Sequence, residues 1–441
     1  MTLVLFVVFV ALVFEYINGF HDTANSIAMG VSTRALTPRA ALTLAALMNL
    51  IGALVGTAVA KTISSGLLAD GVIPKSLSSY LVVSALLGAI IWNLVTWWFG
   101  LPSSSSHALV GGVVGAALAA SHGDFSSIIW FTPGKEHWYS PGGVIGKVII
   151  PMVISPFIGF FGGLLMMSGL YAVVAKWRPG TVDRTFRFGQ LFSGGYMGFS
   201  HGSNDAQKTM GIIALALYGA TESGALKDLP KWAEFLRIDK NTDFGMHIPA
   251  WAMIGCSVVL GLVVAGLVWA LADSASRSKN STKTIVSLLF GTAAAIGCWY
   301  LIEGLGHAHV PLDGKTGLPD FKGAIPVWVK ITCAIVMAAG TAAGGWRIIK
   351  TMGQKMVKVL PINGFTADAN AASVLITAAA LGMPVSTTHA ITTSIMGVGC
   401  ARRWSALKLS VVARILVAWV LTLPLAAAMA WLVMKLLLMF A

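Results

Sequence analysis

The sequence predicts an all-α polytopic membrane protein built from inverted-topology repeats, with interrupted helices and two re-entrant-type helical hairpins. Three observations predict it. The composition is 56% hydrophobic and only 11% charged, with a mean hydropathy of +0.80, far from the balance of soluble domains. Two motifs each occur twice, and the basic residues gather in alternate loops.

Segments before Gly19 and at 40–60, 80–99, 143–175, 248–272, 284–303, 325–345 and 410–440 are long and apolar enough to cross a bilayer. No Lys or Arg precedes the first apolar run and no small-residue cleavage pattern follows it, so the first helix is expected to stay in the mature protein. Cys256, Cys298, Cys333 and Cys400 lack CxxC spacing, which fits neither a zinc site nor a disulfide framework. The net charge of +13 is spread over short loops rather than one basic face, which argues against nucleic acid as a partner.

The first duplicated motif reads GFHDTANS from Gly19 to Ser26 and GFSHGSNDAQKTMG from Gly198 to Gly211. With Asp22 laid on Asp205, Gly19 falls on Gly202, His21 on Asn204 and Asn25 on Lys208. The second reads GLPSSSSHA from Gly100 to Ala108 and GMPVSTTHA from Gly382 to Ala390. The chain therefore divides into residues 1–178 and 179–441. Each half holds an acidic motif (19–26, 198–211) and a hydroxyl-bearing hairpin (80–120, 360–400), and the second half adds two spans within 284–345.

Loop charge sets the topology. Arg34 and Arg39, Lys176 to Arg187, Arg277 to Lys283, Arg347 to Lys358, and Arg402 to Lys408 hold more than half of the 30 basic residues. The loops at 61–78, 121–141, 221–247 and 304–324 balance bases with acids. By the positive-inside rule the first set is cytoplasmic and the second external. Counting crossings then inverts each duplicated pair, places both termini outside the cytoplasm, and gives about twelve membrane segments with hairpin arms included. Each acid-bearing segment of roughly 32 residues would be ~48 Å as one straight helix against ~30 Å of hydrocarbon, so a break is expected at each Gly-rich motif. Inverted repeats with broken helices meeting at the midplane are the signature of a secondary transporter, which they fit better than a passive channel.

Glu15, Asp22, Asp205, Lys208 and Asp368 fall within these spans, where each charge costs roughly 2.5–3.5 kcal/mol on insertion scales and must face a partner or a wet cavity. Asp205 and Lys208 are spaced i, i+3 and could simply pair. The runs Ser103, Ser104, Ser105, Ser106 and Ser386, Thr387, Thr388 follow a Pro and open apolar helices. Hydroxyls beside unpaired N–H groups suit a tetrahedral oxyanion. His107 and His389 end these runs and are expected, with Glu15 and Asp368, to support the site. GFSHG matches the G-x-S-x-G elbow of hydrolases, so Ser200 and His201 mark a remote alternative that needs a strand-to-helix turn. The pairs Gly52 and Gly56, Gly111 and Gly115, and Gly340 and Gly344 are read as close helix packing.

With both motifs duplicated in order, nearly the whole chain resembles the inorganic phosphate transporter (PiT) family of secondary transporters. The resemblance implies a non-enzymatic phosphate symporter that works by alternating access, needs no cofactor, sits in membrane lipid and forms a homodimer. Asn25, Asn204, Lys208 and the hairpin hydroxyls would hold phosphate, and Asp22, Asp205 and His21 would hold a coupling ion or metal. His21 and Lys208 stand where the usual signature has Asn. Both substitutions resemble the bacterial low-affinity branch, which is proton-coupled, resides in the inner membrane and carries phosphate with a divalent metal such as Mg2+. Sodium coupling remains an alternative, as does sulfate, although a protonatable acid near the site favours an anion that keeps a proton near neutral pH.

Overall fold

The structure is a computed structural model and describes residues 1–65, 67–69, 71–133, 141–238, 325–357 and 359–440, with single positions between 258 and 296. The expected spans at 248–272 and 284–303 fall essentially outside the described residues, as do Cys256, Cys298 and the basic loop at Arg277, Lys279 and Lys283.

Helices α1 (Thr2–Ser32) and α7 (Pro179–Glu222) carry the two acidic motifs. They run antiparallel. Glu15 meets Thr209, Asp22 lies beside His201 and Asp205, and Thr33 donates to Gln190 Oε1 over 2.5 Å, so numbering rises along one helix as it falls along the other. Two equivalent helices crossing in opposite senses are the mark of an inverted repeat.

Each acid-bearing helix is followed by a broken helix from the other half. Helices α2 (Pro38–Ala53) and α3 (Ala58–Ser65) meet at 69° and lie along α7. Helices α8 (Val327–Ala343) and α9 (Trp346–Lys350, continued by a π turn at Thr351–Lys355) meet at 57° and lie along α1. Gly56 and Gly344, with φ of +79° and +74°, make the two breaks. The Gln207 side chain bridges the first, accepting from Val59 N–H at 2.9 Å and donating to Val55 O at 3.3 Å, which satisfies backbone that no longer pairs within a helix. Val327–Ala343, expected as an extra crossing, thus takes the place on α1 that α2 takes on α7.

The hydroxyl motifs sit at the tips of two hairpins, α4 (Ser78–Trp98) with α5 (Ser105–Ala120), and α10 (Pro361–Ala380) with α11 (Thr387–Cys400). Packing again crosses between halves: α12 (Leu409–Leu437) lies against α4 and α5, and α6 (Ile150–Val174) against α10 and α11. Small residues set these distances, because a Cβ on Gly115 would stand 2.0 Å from the Ala427 carbonyl and one on Gly397 1.9 Å from that of Phe160.

One expectation is corrected. Both α1 and α7 run unbroken through Gly19–Ser26 and Gly198–Gly211. Their glycines serve helix contact instead: a Cβ on Gly19 would lie 2.5 Å from Met337 O, and one on Gly202 2.3 Å from Asn49 O. Length did not demand a break, since a helix longer than the hydrocarbon is thick can tilt. The interruptions fall in the bent pairs and at the hairpin tips. Four described helices, α1, α4, α6 with its leading π turn, and α12, are long and apolar enough to cross a membrane, and each bent pair adds one if it is a single span.

Two apolar clusters fill opposite ends of the bundle. Along α1 the first takes Val4 to Ile17 and the second Ala24 to Met29; along α7 the second takes Phe186 to Met197 and the first Ala206 to Ala220. Between them lies a buried polar layer that includes Asp22, Asn25, Ser200 to Asp205 and both hairpin tips.

Candidate functional site

Capping builds the two tips. Ser104 accepts from His107 N–H at 3.2 Å and Ser386 from His389 N–H at 3.1 Å, so each starts its helix. The next two residues of each run are then aimed at α1 and α7, with backbone N–H groups that have no partner inside the helix. Ser105 Oγ donates to Asp22 Oδ2 at 2.5 Å, and in the other half Thr387 Oγ1 donates to Asp205 Oδ2 at 3.1 Å.

The following position crosses to the opposite helix. Lys208 donates to Ser106 Oγ, as well as to Asp205 Oδ1 and, at 3.2 Å, to Val385 O. Its counterpart Asn25 donates to Thr388 Oγ1 at 3.0 Å and Thr387 Oγ1 at 3.2 Å. Thr388 reaches Asp22 Oδ1 at a long 3.5 Å. The motif alignment that pairs Asp22 with Asp205 and Asn25 with Lys208 is therefore also a two-fold relation in space.

A histidine orients each carboxylate. His21 Nδ1 lies 2.7 Å from Asp22 Oδ1, and its Nε2 is 3.1 Å from Thr96 Oγ1, to which Ser103 donates at 2.8 Å. Ser103 thus reaches the site through Thr96 and His21. On α7, His201 Nε2 lies 3.2 Å from Asp205 Oδ2 while Nδ1 is 3.0 Å from Asn49 Oδ1, and Asn49 donates onward to Thr341 at 2.8 Å. Asp22, His201 and Asp205 place ligand atoms within 4.8 Å of one another, a set with the hard and borderline donors of a small cation site.

The remaining expected residues lie at increasing distance. Asn204 is fully buried beside Asp205, with neither amide atom hydrogen-bonded among the described groups. Glu15 accepts from Thr209, about 10 Å along α1 from Asp22. His107 and His389 meet edge to face behind the tips with ring centroids 4.8 Å apart, and His389 stacks on Trp419. Asp368 is buried on α10 next to Ser193, roughly 20 Å of helix from its tip, and does not join the cluster. Ser200 sits inside continuous α7, which lacks the strand-to-helix turn a nucleophile elbow needs.

Sequence reasoning missed His201 as a partner of Asp205, although their i, i+4 spacing on one helix face was a usable signal. Thr96, Asn49 and Thr341 carried none, being single polar residues in apolar runs.

Comparison with known proteins identifies the family. Residues 18–430 match the model of the phosphate transporter family (PHO4). The chain is 33% identical over 427 residues to a probable low-affinity inorganic phosphate transporter of Bacillus subtilis, covering 96% of this chain and 94% of that one. It is 36% identical over 419 residues to one of Rhizobium meliloti (95% and 91%), and 28% identical over 476 residues to the low-affinity inorganic phosphate transporter PitB of Escherichia coli (94% and 92%). A solved structure, the sodium-dependent phosphate transporter, shares the fold with a TM-score of 0.62 at 23% identity, over the full length of both chains. These relatives are transporters rather than enzymes, and with the match spanning nearly the whole sequence the chain belongs to the phosphate transporter family.

Proposed function

We propose that the protein is a secondary active symporter that imports inorganic phosphate with protons by alternating access, a divalent metal such as Mg2+ travelling with the anion. One observation carries the reading: two antiparallel helices and two hairpin tips converge so that four hydroxyls, an amide and an ammonium adjoin two carboxylates in a buried layer. On binding, the tetrahedral anion takes over Ser105, Ser106, Thr387, Thr388, Asn25 and Lys208 as donors, helped by the N-termini of α5 and α11. Asp22 and Asp205, freed of those donors, hold the metal through hard oxygen ligands.

Charge supports the stoichiometry. Asp22, Asp205 and Lys208 together carry one net negative charge. A neutral metal–phosphate pair leaves that charge in place, and one proton cancels it. In this reading the protein works as a homodimer in a bacterial inner membrane with both termini outside the cytoplasm. The exposed apolar face of α6, including Phe157, Phe161 and Leu165, suits lipid or a second copy.

The test is phosphate uptake into proteoliposomes under an imposed proton gradient or an imposed sodium gradient, with and without magnesium. Uptake driven by protons and raised by magnesium is expected. A strict need for sodium would retain the substrate and make Asp22 and Asp205 sodium ligands.

A further inference from the structure

One buried acid stands outside the central site. Glu15 shares a face of α1 with Asn18, Asp22 and Asn25, because steps of three, four and three residues stay on one side of a helix, and all four side chains are buried. Thr209 of α7 donates to Glu15 Oε2, whereas Oε1 has no hydrogen-bond partner among the described groups, and neither has Asn18 Oδ1. Asn18 faces the carboxyl from the next turn. Asp205 and Lys208 are the charged groups within electrostatic reach, and Lys208 is already bound to Asp205, Ser106 and the Val385 carbonyl. Cys333 of α8 is the other titratable neighbour, while α4, also packed along α1, carries no acid, lysine, arginine or histidine. A glutamine at this position would accept from Thr209 and donate to Asn18 equally well. Hydrogen bonding therefore does not call for an acid, and what a carboxyl adds is a proton it can take up and give away.

We propose that Glu15 is the proton relay of the outer half of the pathway, handing the central layer the proton that accompanies phosphate. The proposal rests on the proton-symport reading above and adds the route the proton takes. In the orientation set by loop charge α1 enters from outside, so Glu15 lies outward of Asp22. Asn18 stands roughly 4.5 Å along the axis from Glu15, and the layer begins roughly 6 Å further on at Asp22, gaps that one bridging water spans at each step. The hairpin side of both aspartates is taken by Ser105, Thr387 and Lys208, donors that phosphate needs, whereas the α1 stripe reaches the layer without crossing them. The transfer balances: the Oε1–H bond of Glu15 breaks as a proton passes through that water to an oxygen of the layer, and a hydronium ion from the outer solvent restores it. Glu15 is neutral before and after each turnover, so one proton still moves per phosphate.

The experiment compares two fluxes in proteoliposomes at constant magnesium: phosphate accumulation driven by an imposed proton gradient, and exchange of labelled for unlabelled phosphate with no gradient. Exchange lets the loaded carrier shuttle with its proton retained and so does not use the relay. Glu15→Gln keeps the bonds to Thr209 and Asn18, and is expected to slow driven accumulation at least about tenfold while exchange stays within about twofold of wild type. Glu15→Asp restores a transferable proton and should recover driven accumulation, with a pH profile displaced from wild type. Full driven accumulation by Glu15→Gln would make Glu15 a neutral packing group and overturn the proposal. Equal loss of both fluxes would assign it to phosphate binding and overturn it too. Should Glu15→Gln fail to fold, as read by thermal unfolding in detergent, Glu15→Asp decides alone: a pH profile identical to wild type overturns the relay. Failure of the symport reading itself would instead show in wild type, as accumulation indifferent to the proton gradient.

Discussion

Asp22 and Asp205 occupy equivalent places in the two halves, yet their surroundings differ, most of all in charge. Asp205 is paired with a fixed ammonium, Lys208, whereas Asp22 is held by the Ser105 hydroxyl and the His21 ring, with Asn25 standing where the second half has lysine. The histidines differ too, His21 adjoining its acid in sequence and His201 lying four residues before its own, but the hairpin contacts are close to two-fold: a hydroxyl from the same half's hairpin on each acid, and a crossing contact from Asn25 or Lys208 to the opposite hairpin. The exchange of Asn25 for Lys208 on a duplicated frame is the difference that changes charge. Asp205 is paired with Lys208 within its own helix, which under the proposed symport would hold the ammonium for the anion. Under the proposed symport, Asp22 would be the acid whose charge the travelling cation or proton matches.

Removing each acid in turn tests this division most severely. Asp205→Asn strands the Lys208 ammonium in a buried layer, an effect of about 3–5 kcal/mol when one partner of a buried pair is lost. Uptake should be abolished with protein still inserted in the membrane. Thermal unfolding of the detergent-solubilised variant should show the loss, and adding Lys208→Met should recover most of the stability without recovering transport. Asp22→Asn strands no lysine ammonium, so its stability change should be about 1–3 kcal/mol while uptake is again lost. Equal destabilisation by the two would break the comparison, and normal uptake by Asp205→Asn would remove the site assignment.

A smaller change should convert one half into the other. Lys208→Asn repeats Asn25 and leaves two carboxylates with no fixed cation. Uptake at micromolar cation should fall on the order of tenfold, about 1.4 kcal/mol, and return as sodium or magnesium is added. A variant whose cation dependence matches wild type would show that Lys208 does not stand in for a bound ion.

Much of this fold and site is legible in the amino-acid sequence, and the failures have physical causes. Inversion follows from loop charge, and the antiparallel course of α1 and α7 agrees with it. The acidic and hydroxyl motifs announce the polar layer because charges and paired hydroxyls are expensive in apolar helices. The position of the breaks is not legible. A glycine-rich stretch in a membrane helix can unwind or can admit a neighbour's backbone, and the choice lies with Met337 and Asn49, far away in sequence. Asp368 resembles Asp22 as an acid in an apolar run, but the length of α10 carries it away from the tip. His201 attracts attention in the sequence as half of a false hydrolase motif, which hides its i, i+4 spacing from Asp205, whereas in the fold its two ring nitrogens face Asn49 and Asp205.

The two hairpin tips extend the comparison to gating, with smaller effects. Gly100 and Gly382 turn the tips with φ of +63° and +64°, and each backs onto the second segment of a broken helix. At the first tip Arg347 of α9 donates to Trp98 O at 2.8 Å and lies over the Trp97 and Trp98 rings at 4.9 and 4.4 Å. Because Arg347 is exposed, this clasp contributes about 1.5 kcal/mol. At the second tip the Thr62 hydroxyl supplies one neutral bond to Gly382 O, worth about 1 kcal/mol. Arg347→Gln should therefore raise the labelling rate of a Leu101→Cys reporter by impermeant thiol reagent about tenfold, and Thr62→Val that of a Met383→Cys reporter about fivefold. Each effect should appear only with reagent added on the side that tip faces, and neither variant should accelerate the other's reporter. The Thr62 case is the finer test, since it removes a single neutral hydrogen bond. If Thr62→Val instead leaves the labelling rate of Met383→Cys unchanged, the second tip is held by packing against Ala58 and not by the hydrogen bond.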